Sequence, residues 1–230
     1  MTGAGAGIGR AVAEALVAAG AEVVLADVDD DAGRRSAGEL GARFVHADVL
    51  VDGDLRALIQ GTPGLGVLVN NAGGAPGPNY PAAPVEHWSR TLDLNLRSAM
   101  VALQLALEAM TGGGAIVNVA SIAGYGLGPH GAPEYAAAKA GLMRLTGALS
   151  PLGLERGIRV SCICPDWVDT PAVQRSLTGL APEERAEIPE LVSAKEIAGL
   201  VVDLVRDESS AGRVVLRPAG GAVSVLPSEP

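Results

Sequence analysis

Aromatic side chains are scarce in this sequence, and charge is unbalanced toward the acidic side. Aromatic residues make up only 3% of the 230 residues, although 48% are hydrophobic, so the core must be built from Ala, Val, Leu and Ile. No apolar run approaches the length of a membrane-spanning helix, and no signal peptide precedes the first motif, so we expect a soluble, cytoplasmic protein. The net charge of −9 argues against a surface for nucleic acid or anionic membranes.

The sequence has few residues that could hold a metal. It contains two cysteines, Cys162 and Cys164, whose i, i+2 spacing would place them on one side of a strand. They could form half of a metal site, but there is no second cysteine pair. The histidines, His46, His87 and His130, show no ligand spacing. Buried core thiols are therefore the better interpretation, and no metal is expected.

A glycine-rich segment opens the chain and runs into an amphipathic helix. The segment spans residues 2–9, and the helical pattern over residues 10–20 ends at Gly20. Glycines allow a diphosphate to approach the backbone closely, and the N-terminus of a helix supplies free N–H groups. A flexible N-terminus is the alternative interpretation of this segment on its own.

An acidic residue follows at the distance that a dinucleotide site requires. Residues 21–27 form an apolar strand that ends in Asp27, about 20 residues beyond the glycines, where a carboxylate can bind the adenosine ribose. It would repel a 2′-phosphate, and no basic residue lies inside the turn or directly after Asp27. The pattern therefore predicts NAD rather than NADP. The alternative is an Asp that only caps a turn.

Strand and helix patterns alternate along the rest of the chain. We expect strands at 42–46, 66–73, 115–121, 157–164 and 214–216, and helices at 29–40, 52–60, 85–110, 132–156 and 195–206. This alternation predicts one α/β domain over residues 1–230, a doubly wound, mostly parallel sheet with helices on both faces. Ligands of such sheets bind at the carboxyl ends of the strands, where Asp48 and Asn71 would lie.

Tyr135 and Lys139 lie four residues apart on the predicted 132–156 helix. Residues at this spacing share a helix face, so both side chains can point into one site. A nearby ammonium should lower the pKa of the Tyr135 phenol toward the range of a general base. Lysine otherwise occurs only at Lys195, although the chain contains 17 Lys+Arg. A surface helix pair is the alternative interpretation of the spacing alone.

Together these motifs resemble the short-chain dehydrogenase/reductase family over nearly the whole chain. Two of them resemble its cofactor turn and its strand-four signature: Thr2-Gly3-x-x-x-Gly7-Ile8-Gly9 and Asn70-Asn71-Ala72-Gly73. Four residues fall where the family's catalytic tetrad would be: Asn95, Ser121, Tyr135 and Lys139. The resemblance implies a Rossmann fold that binds NAD through the following residues: Gly3, Gly7, Ile8, Gly9, Asp27, Val28, Asp48, Val49, Asn71, Ala72, Gly73, Tyr135, Lys139, Pro165, Val168 and Thr170.

The resemblance also implies a role for each member of the tetrad. Tyr135 would exchange a proton with the substrate oxygen, and Ser121 would donate a hydrogen bond to that oxygen. Lys139 would lower the pKa of Tyr135 and hold the nicotinamide ribose. Asn95 would hold a water that links Lys139 to solvent.

The sequence departs from the family pattern at two places. Asp166 follows Pro165 where many members have Pro-Gly, which affects how the backbone approaches the nicotinamide. The family also has a full apolar strand before the glycine turn, whereas only Met1 precedes Thr2 here. Loss of that central strand would open a gap of about 10 Å in the sheet. We therefore expect the first strand to be truncated and the native chain to begin several residues earlier.

The segment 166–193 is a candidate substrate lid, because it is a long excursion at the carboxyl edge of the sheet. No Arg or Lys lies in residues 122–134 to clamp an anion, so we predict that the substrate is a neutral, fairly apolar secondary alcohol or ketone. His130 and Trp167 are expected in the wall of that pocket. The alternative function is a non-catalytic dinucleotide sensor on the same fold. The family is usually dimeric or tetrameric, so a homo-oligomer is expected.

Overall fold

The predicted doubly wound α/β architecture is confirmed by a computed structural model, which describes residues 1–186 and 188–226. Its strands are β1 Val24–Asp27, β2 Arg43–His46, β3 Val67–Asn70, β4 Gly114–Val119, β5 Ile158–Pro165, β6 Val168–Asp169, β7 Val192–Ser193, β8 Val214–Arg217 and β9 Ser224–Val225. Its helices are α1 Gly7–Ala18, α2 Asp30–Leu40, α3 Asp52–Gln60, α4 Val85–Leu92, α5 Ser98–Ala109, α6 Pro133–Ala148, α7 Leu152–Arg156, α8 Pro171–Thr178, α9 Pro182–Ala186 and α10 Ala194–Arg206.

The sheet is parallel except at one edge. Strands β3, β4, β5 and β8 are neighbours in that order, and β1 pairs with β2. Among the residues that the structure describes, only β9 runs antiparallel, against β8. Alternate residues of β4 point to opposite layers. Val117 packs with α1 and α10, whereas Ile116 packs with α3 and α5. Burial on both faces explains why the central strands are continuous apolar runs.

The position expected for the first strand is held by residues 1–4 alone. Thr2 forms a single parallel bridge with Ala26 of β1, and its N–H donates to the carbonyl of Val69 in β3 at 3.1 Å. The Ala26 N–H donates to the Met1 carbonyl at 2.9 Å, and the Ala4 N–H donates to the Ala26 carbonyl at 3.2 Å. These few hydrogen bonds link the two-stranded β1–β2 sheet to the sheet that contains β3.

The two long predicted helices are both interrupted. The helix expected over 85–110 contains a π-helical segment, Asp93–Arg97, between α4 and α5. The amide of Asn95, inside that segment, donates to the Thr91 carbonyl at 2.9 Å, and such side-chain insertions are one cause of irregular helix. The helix expected over 132–156 stops at Ala148 and resumes at Leu152. Pro151 lacks the N–H that a continuous helix would need.

The predicted lid and the chain after Gly220 contain more regular secondary structure than the sequence indicates. In the predicted lid, β6 and β7 pair in parallel and bracket α8 and α9, while residue 187 lies outside the described residues. Beyond Gly220 the chain adds the short strand β9, which pairs with β8 through Leu216 and Ser224. Residues 227–230 lie outside the described part. Within the described part, no helix is both long and apolar enough to cross a membrane.

Candidate active site

The glycine turn packs too tightly to accept side chains. Gly3 and Gly7 have φ values of 62° and 55°, a region that favours glycine. A Cβ added to Gly9 would lie 1.9 Å from the Gly3 carbonyl oxygen. Asn71 fixes the same turn, because its side-chain amide donates to the Gly3 carbonyl at 2.8 Å. The first N–H groups of α1 are therefore presented by a rigid turn, the arrangement that binds diphosphates.

This packing makes Gly9→Ala strongly disruptive. We expect the free energy of unfolding in urea to fall by about 2–4 kcal/mol, because the added methyl group must displace the Gly3 backbone. Gly38→Ala is the matched control. Gly38 lies in α2 with open space around its Cβ position, so this change should stabilise the chain by about 0.5–1 kcal/mol. Equal effects of the two substitutions would contradict the proposed packing of the turn.

Asp27 lies at the end of β1 with its carboxylate fixed by two backbone groups. One oxygen accepts from the Gly5 N–H at 2.7 Å, and the other accepts from the Asp29 N–H at 3.0 Å. Remaining lone pairs on both oxygens are free to accept from ribose hydroxyls. The sequence interpretation of Asp27 as a simple turn cap is incomplete, since Gly5 belongs to the glycine turn.

A cavity of about 860 Å³ connects the glycine turn to the tyrosine and lysine. It is of the size that holds cofactors and small ligands. All of the predicted site residues except Gly9 and Asn95 line this cavity. The lining residues that were predicted are Gly3, Gly7, Ile8, Asp27, Val28, Asp48, Val49, Asn71, Ala72, Gly73, Ser121, Tyr135, Lys139, Pro165, Val168 and Thr170. Gly9 packs beneath the turn, and Asn95 is buried behind Gly73. The cavity and the close-packed turn fit an extended dinucleotide.

Ser121, Tyr135 and Lys139 meet at one end of this cavity. Tyr135 and Lys139 lie on α6, with the ammonium 5.5 Å from the centre of the tyrosine ring. Ser121 follows β4, and its side chain acts to lower the pKa of the Tyr135 phenol. The Lys139 ammonium donates to the Val119 carbonyl at 2.9 Å. The strand end and the helix therefore bring the three groups together, as their spacing predicts.

The pKa of Tyr135 is raised rather than lowered, contrary to the expectation from sequence. Burial disfavours the phenolate and outweighs the hydrogen bond from Ser121. Burial also acts on the partner, lowering the pKa of the Lys139 ammonium from 10.5 to about 8. The ammonium is directed at Val119, so the i, i+4 spacing alone overstated its effect on Tyr135. In this state Tyr135 is a phenol.

The Asn95 side chain hydrogen-bonds the backbone of the turn after β3. Its side-chain oxygen accepts from the Gly74 N–H at 3.0 Å, and its amide donates to the Gly74 carbonyl at 2.7 Å. A Cβ on Gly73 would lie 2.6 Å from the Asn95 oxygen and 3.2 Å from the Lys139 nitrogen. Only glycine therefore fits between Asn95 and Lys139.

Four residues discussed above lie outside the cavity lining: the two cysteines and both of the residues expected in the pocket wall. Cys162 and Cys164 are free, fully buried thiols with their sulfurs 3.8 Å apart, packed beneath α6 as core residues. His130 and Trp167 were expected in the pocket wall, and neither lines the cavity. His130 instead stacks on the Tyr135 ring, with centroids 6.1 Å apart, and so covers it from outside.

Comparisons with known proteins identify the family. A family model described as enoyl-(acyl carrier protein) reductase matches residues 3–213. The L-fucose dehydrogenase of Oryctolagus cuniculus is 35% identical, over 96% of this chain and 83% of the relative. The chain belongs to the short-chain dehydrogenase/reductase family. The 3-beta-hydroxysteroid dehydrogenase of Comamonas testosteroni is 36% identical, over 91% of this chain and 89% of the relative. A solved actinorhodin polyketide ketoreductase with NADPH superimposes with a TM-score of 0.88 at 28% identity, covering 96% of this chain and 95% of that one.

Membership in the short-chain dehydrogenase/reductase family fixes the general chemistry. The chain is an oxidoreductase of a family that binds nicotinamide dinucleotides, and its relatives include dehydrogenases of alcohols and sugars. A bound dinucleotide would supply hydride acceptance or donation at its nicotinamide ring. The glycine turn and Asp27 would hold its adenosine end, which leaves the end with Tyr135 for the reacting ring.

Three arginines of this short-chain dehydrogenase/reductase line the cavity and were missed by the sequence reasoning: Arg35, Arg90 and Arg175. Arg35 lies on α2, one residue before Ser36, whose hydroxyl donates to the Gly5 carbonyl at 2.9 Å. Arg90 precedes Leu94, another lining residue, by four positions and so shares its helix face. That spacing was a usable signal for Arg90, whereas Arg175 is brought in by α8, whose position no sequence pattern fixes.

Proposed function

We propose that this chain is an NAD-dependent dehydrogenase that oxidises a neutral, fairly apolar secondary alcohol or reduces the corresponding ketone. The observation that carries the proposal is the single cavity with a dinucleotide-binding turn at one end and Ser121, Tyr135 and Lys139 at the other. A structural role alone gives no reason for a buried lysine beside a half-buried tyrosine at a cavity wall.

The proposed chemistry assigns each polar group a step. In alcohol oxidation the Tyr135 oxygen would accept the proton of the substrate hydroxyl, while a hydride would leave the carbon that bears this hydroxyl for the nicotinamide ring. Ser121 donates to the substrate oxygen and limits the charge that develops on it. Because burial raises the pKa of Tyr135, deprotonation requires a cation brought close to the phenol. Lys139 is that cation in our proposal, at the cost of its hydrogen bond to Val119.

Asn95 acts as a positioning residue in this proposal. Its hydrogen bonds to Gly74 hold the turn that separates it from Lys139. The water that Asn95 is expected to hold stays a prediction, and the second lone pair of its side-chain oxygen would be the acceptor. The π-helical segment turns this asparagine toward α6, which is a recurrent use of such insertions at functional sites.

The substrate is proposed to be neutral because the cavity end near Tyr135 offers little to bind an anion. Val119 and Ala120, which directly precede Ser121, supply apolar lining there, and Asp166 also lines the cavity. A negatively charged substrate would be repelled by Asp166. Helix α8 follows Thr170 and contributes Arg175 to the lining, which supports the proposal that residues 166–193 cover the bound ligands.

NAD is the proposed cofactor, and NADP is the second candidate. The fixed carboxylate of Asp27 favours ribose hydroxyls over a 2′-phosphate, whereas Arg35 near Gly5 is the observation that favours a phosphate. In fluorescence titrations we expect NAD to bind at least about tenfold more tightly than NADP. Asp27→Asn should narrow this preference, while Asp31→Asn, an exposed acid on α2, should leave it unchanged. Tighter binding of NADP would identify Arg35 as the deciding residue.

The alternative of a dinucleotide sensor makes a different prediction from the same cavity. A sensor would bind NAD but transfer no hydride, so turnover separates the two functions.

We also propose that the chain forms a homodimer or homotetramer. The exposed side chains of Val85 on α4 and Met100 on α5 support this, since apolar helix faces are common contact surfaces.

A further inference from the structure

Asp166 is the one residue where the cavity departs in charge from the family pattern described above. It follows Pro165 at the end of β5, where the resemblance predicts glycine, and it lines the cavity together with Ser121 and Tyr135. A glycine there would contribute only backbone. Aspartate instead adds a carboxylate to the lining of the cavity.

The carboxylate of Asp166 is held in a defined position. One of its oxygens accepts from the Ala219 N–H at 3.1 Å, and the Asp166 N–H donates to the Arg217 carbonyl at 3.0 Å. One anchor is Arg217, the last residue of β8, and the other is Ala219 in the turn that follows it. The other carboxylate oxygen has no protein donor among residues 1–186 and 188–226.

The charge of Asp166 is also uncompensated. Arg217 is adjacent through the β5 and β8 pairing, but its guanidinium binds Glu196 at 2.5 Å and the Gly221 carbonyl at 3.0 Å. No ion pair within 4.0 Å involves Asp166 in the described ranges. A half-buried, unpaired carboxylate at a cavity wall is available to a cationic ligand group.

The two redox forms of a nicotinamide dinucleotide differ by one charge at the reacting ring. The oxidised ring carries a positive charge and the reduced ring is neutral, while their shapes are nearly the same. Resting on the proposed function, we propose that Asp166 selects the oxidised cofactor over the reduced one by charge. Stronger binding of the oxidised form, with easier release of the reduced form, favours alcohol oxidation as the working direction.

The size of the effect follows from elementary electrostatics. Two unit charges near contact attract even in bulk water by enough to change a dissociation constant about fivefold, and by more in a partly desolvated cavity. Removing the charge should therefore weaken NAD⁺ binding about fivefold or more. The binding of NADH should change by less than about twofold, because the neutral ring has no such attraction.

Titration of Asp166→Asn with NAD⁺ and NADH, followed by the fluorescence of Trp88 and Trp167, tests the proposal. Asparagine keeps the shape and the acceptor for Ala219, so only the charge is lost. Asp203→Asn, at an exposed position on α10, is the control for the change in net charge and should alter neither affinity. We expect the ratio of the NAD⁺ dissociation constant to the NADH dissociation constant to be about fivefold higher in Asp166→Asn than in the wild type. Added salt should reduce this difference between the two proteins, because it screens the attraction in the wild type.

Two results would overturn the proposal, and they are distinguishable from each other. If both cofactor forms bind the wild type and Asp166→Asn weakens them equally, or weakens neither, the carboxylate has no charge-selective role. If neither form binds the wild type, the dinucleotide function itself fails and this inference with it. Asp166→Gly, which also removes the anchor to Ala219, should reproduce the change in ratio on top of any general loss of affinity.

Discussion

Replacing Tyr135 by phenylalanine is expected to lower kcat about a thousandfold while leaving the dissociation constant of NAD nearly unchanged. The substitution removes only the phenol oxygen, which is the proton acceptor in the proposed reaction, and general base catalysis of this kind contributes about 10²–10⁴-fold. The ring remains to stack on His130 and to pack beside Lys139. The measurement is steady-state reduction of NAD by a secondary alcohol, together with a fluorescence titration of NAD.

Tyr125→Phe provides the matched control for this prediction. Tyr125 lies ten residues upstream of Tyr135, before α6 begins, and 53% of its surface is exposed. Loss of its hydroxyl should change kcat by less than about twofold, since it faces solvent. If Tyr135→Phe retained full activity with intact NAD binding, Tyr135 would not be the base, and the sensor alternative would gain support.

Replacing Lys139 by methionine is expected to abolish activity and at the same time to stabilise the fold at pH 7. Lys139 is only 3% exposed, and burial lowers its pKa from 10.5 to about 8. A depression of that size corresponds to about 3 kcal/mol of unfavourable free energy for keeping the ammonium charged in the folded state. Loss of the hydrogen bond to Val119 offsets about 1–2 kcal/mol, so we expect a net gain of about 1–2 kcal/mol.

The pH dependence of this gain has a definite sign. Between about pH 8 and pH 10.5 the unfolded chain still holds the proton of Lys139, whereas the folded chain has released it. Wild-type stability should therefore rise over this interval, and the advantage of Lys139→Met should shrink by the same amount. Urea unfolding at pH 7 and at pH 9.5 measures the free energies of unfolding of the wild type and of Lys139→Met. A control variant corrects the values at pH 9.5 for other effects of pH.

Lys195→Met is that control, because Lys195 is the only other lysine and lies exposed on α10. Its replacement should change the free energy of unfolding by less than about 0.5 kcal/mol at either pH. A Lys139→Met variant less stable than wild type at both pH values would contradict a depressed pKa. It would mean that the ammonium has stabilising contacts that outweigh the cost of its burial.

Much of the fold follows from local patterns because the central strands are buried on both faces. Continuous apolar runs predicted β3, β4 and β5, and the apolar run ending at Asp27 predicted β1. The interruptions of the two long helices were missed for separate reasons. Pro151 is a local signal for the break between α6 and α7, because proline lacks the N–H of a continuous helix. The π-helical segment at Asp93–Arg97 depends on what the Asn95 side chain meets in the folded state.

The site was predicted best where backbone geometry dictates it. Glycines 3 and 7 and the i, i+4 pair of α6 are local features, and the structure brings them to one cavity. The predicted lowering of the Tyr135 pKa was wrong, because that pKa depends on burial, which the spacing of two residues does not reveal. Arg35 and Arg175 were missed because helix packing, rather than sequence order, brings them to the cavity.

Hydride transfer to NAD from a deuterated alcohol tests the central claim most directly. The chain and its Tyr135→Phe variant would be incubated with NAD and a panel of neutral secondary alcohols carrying deuterium on the carbinol carbon. We predict that at least one alcohol reduces NAD, that the deuterium appears in the reduced cofactor, and that the variant loses about a thousandfold in rate. Binding of NAD without reduction by any alcohol, and without oxidation of NADH by the matching ketones, would contradict the account and favour a sensor.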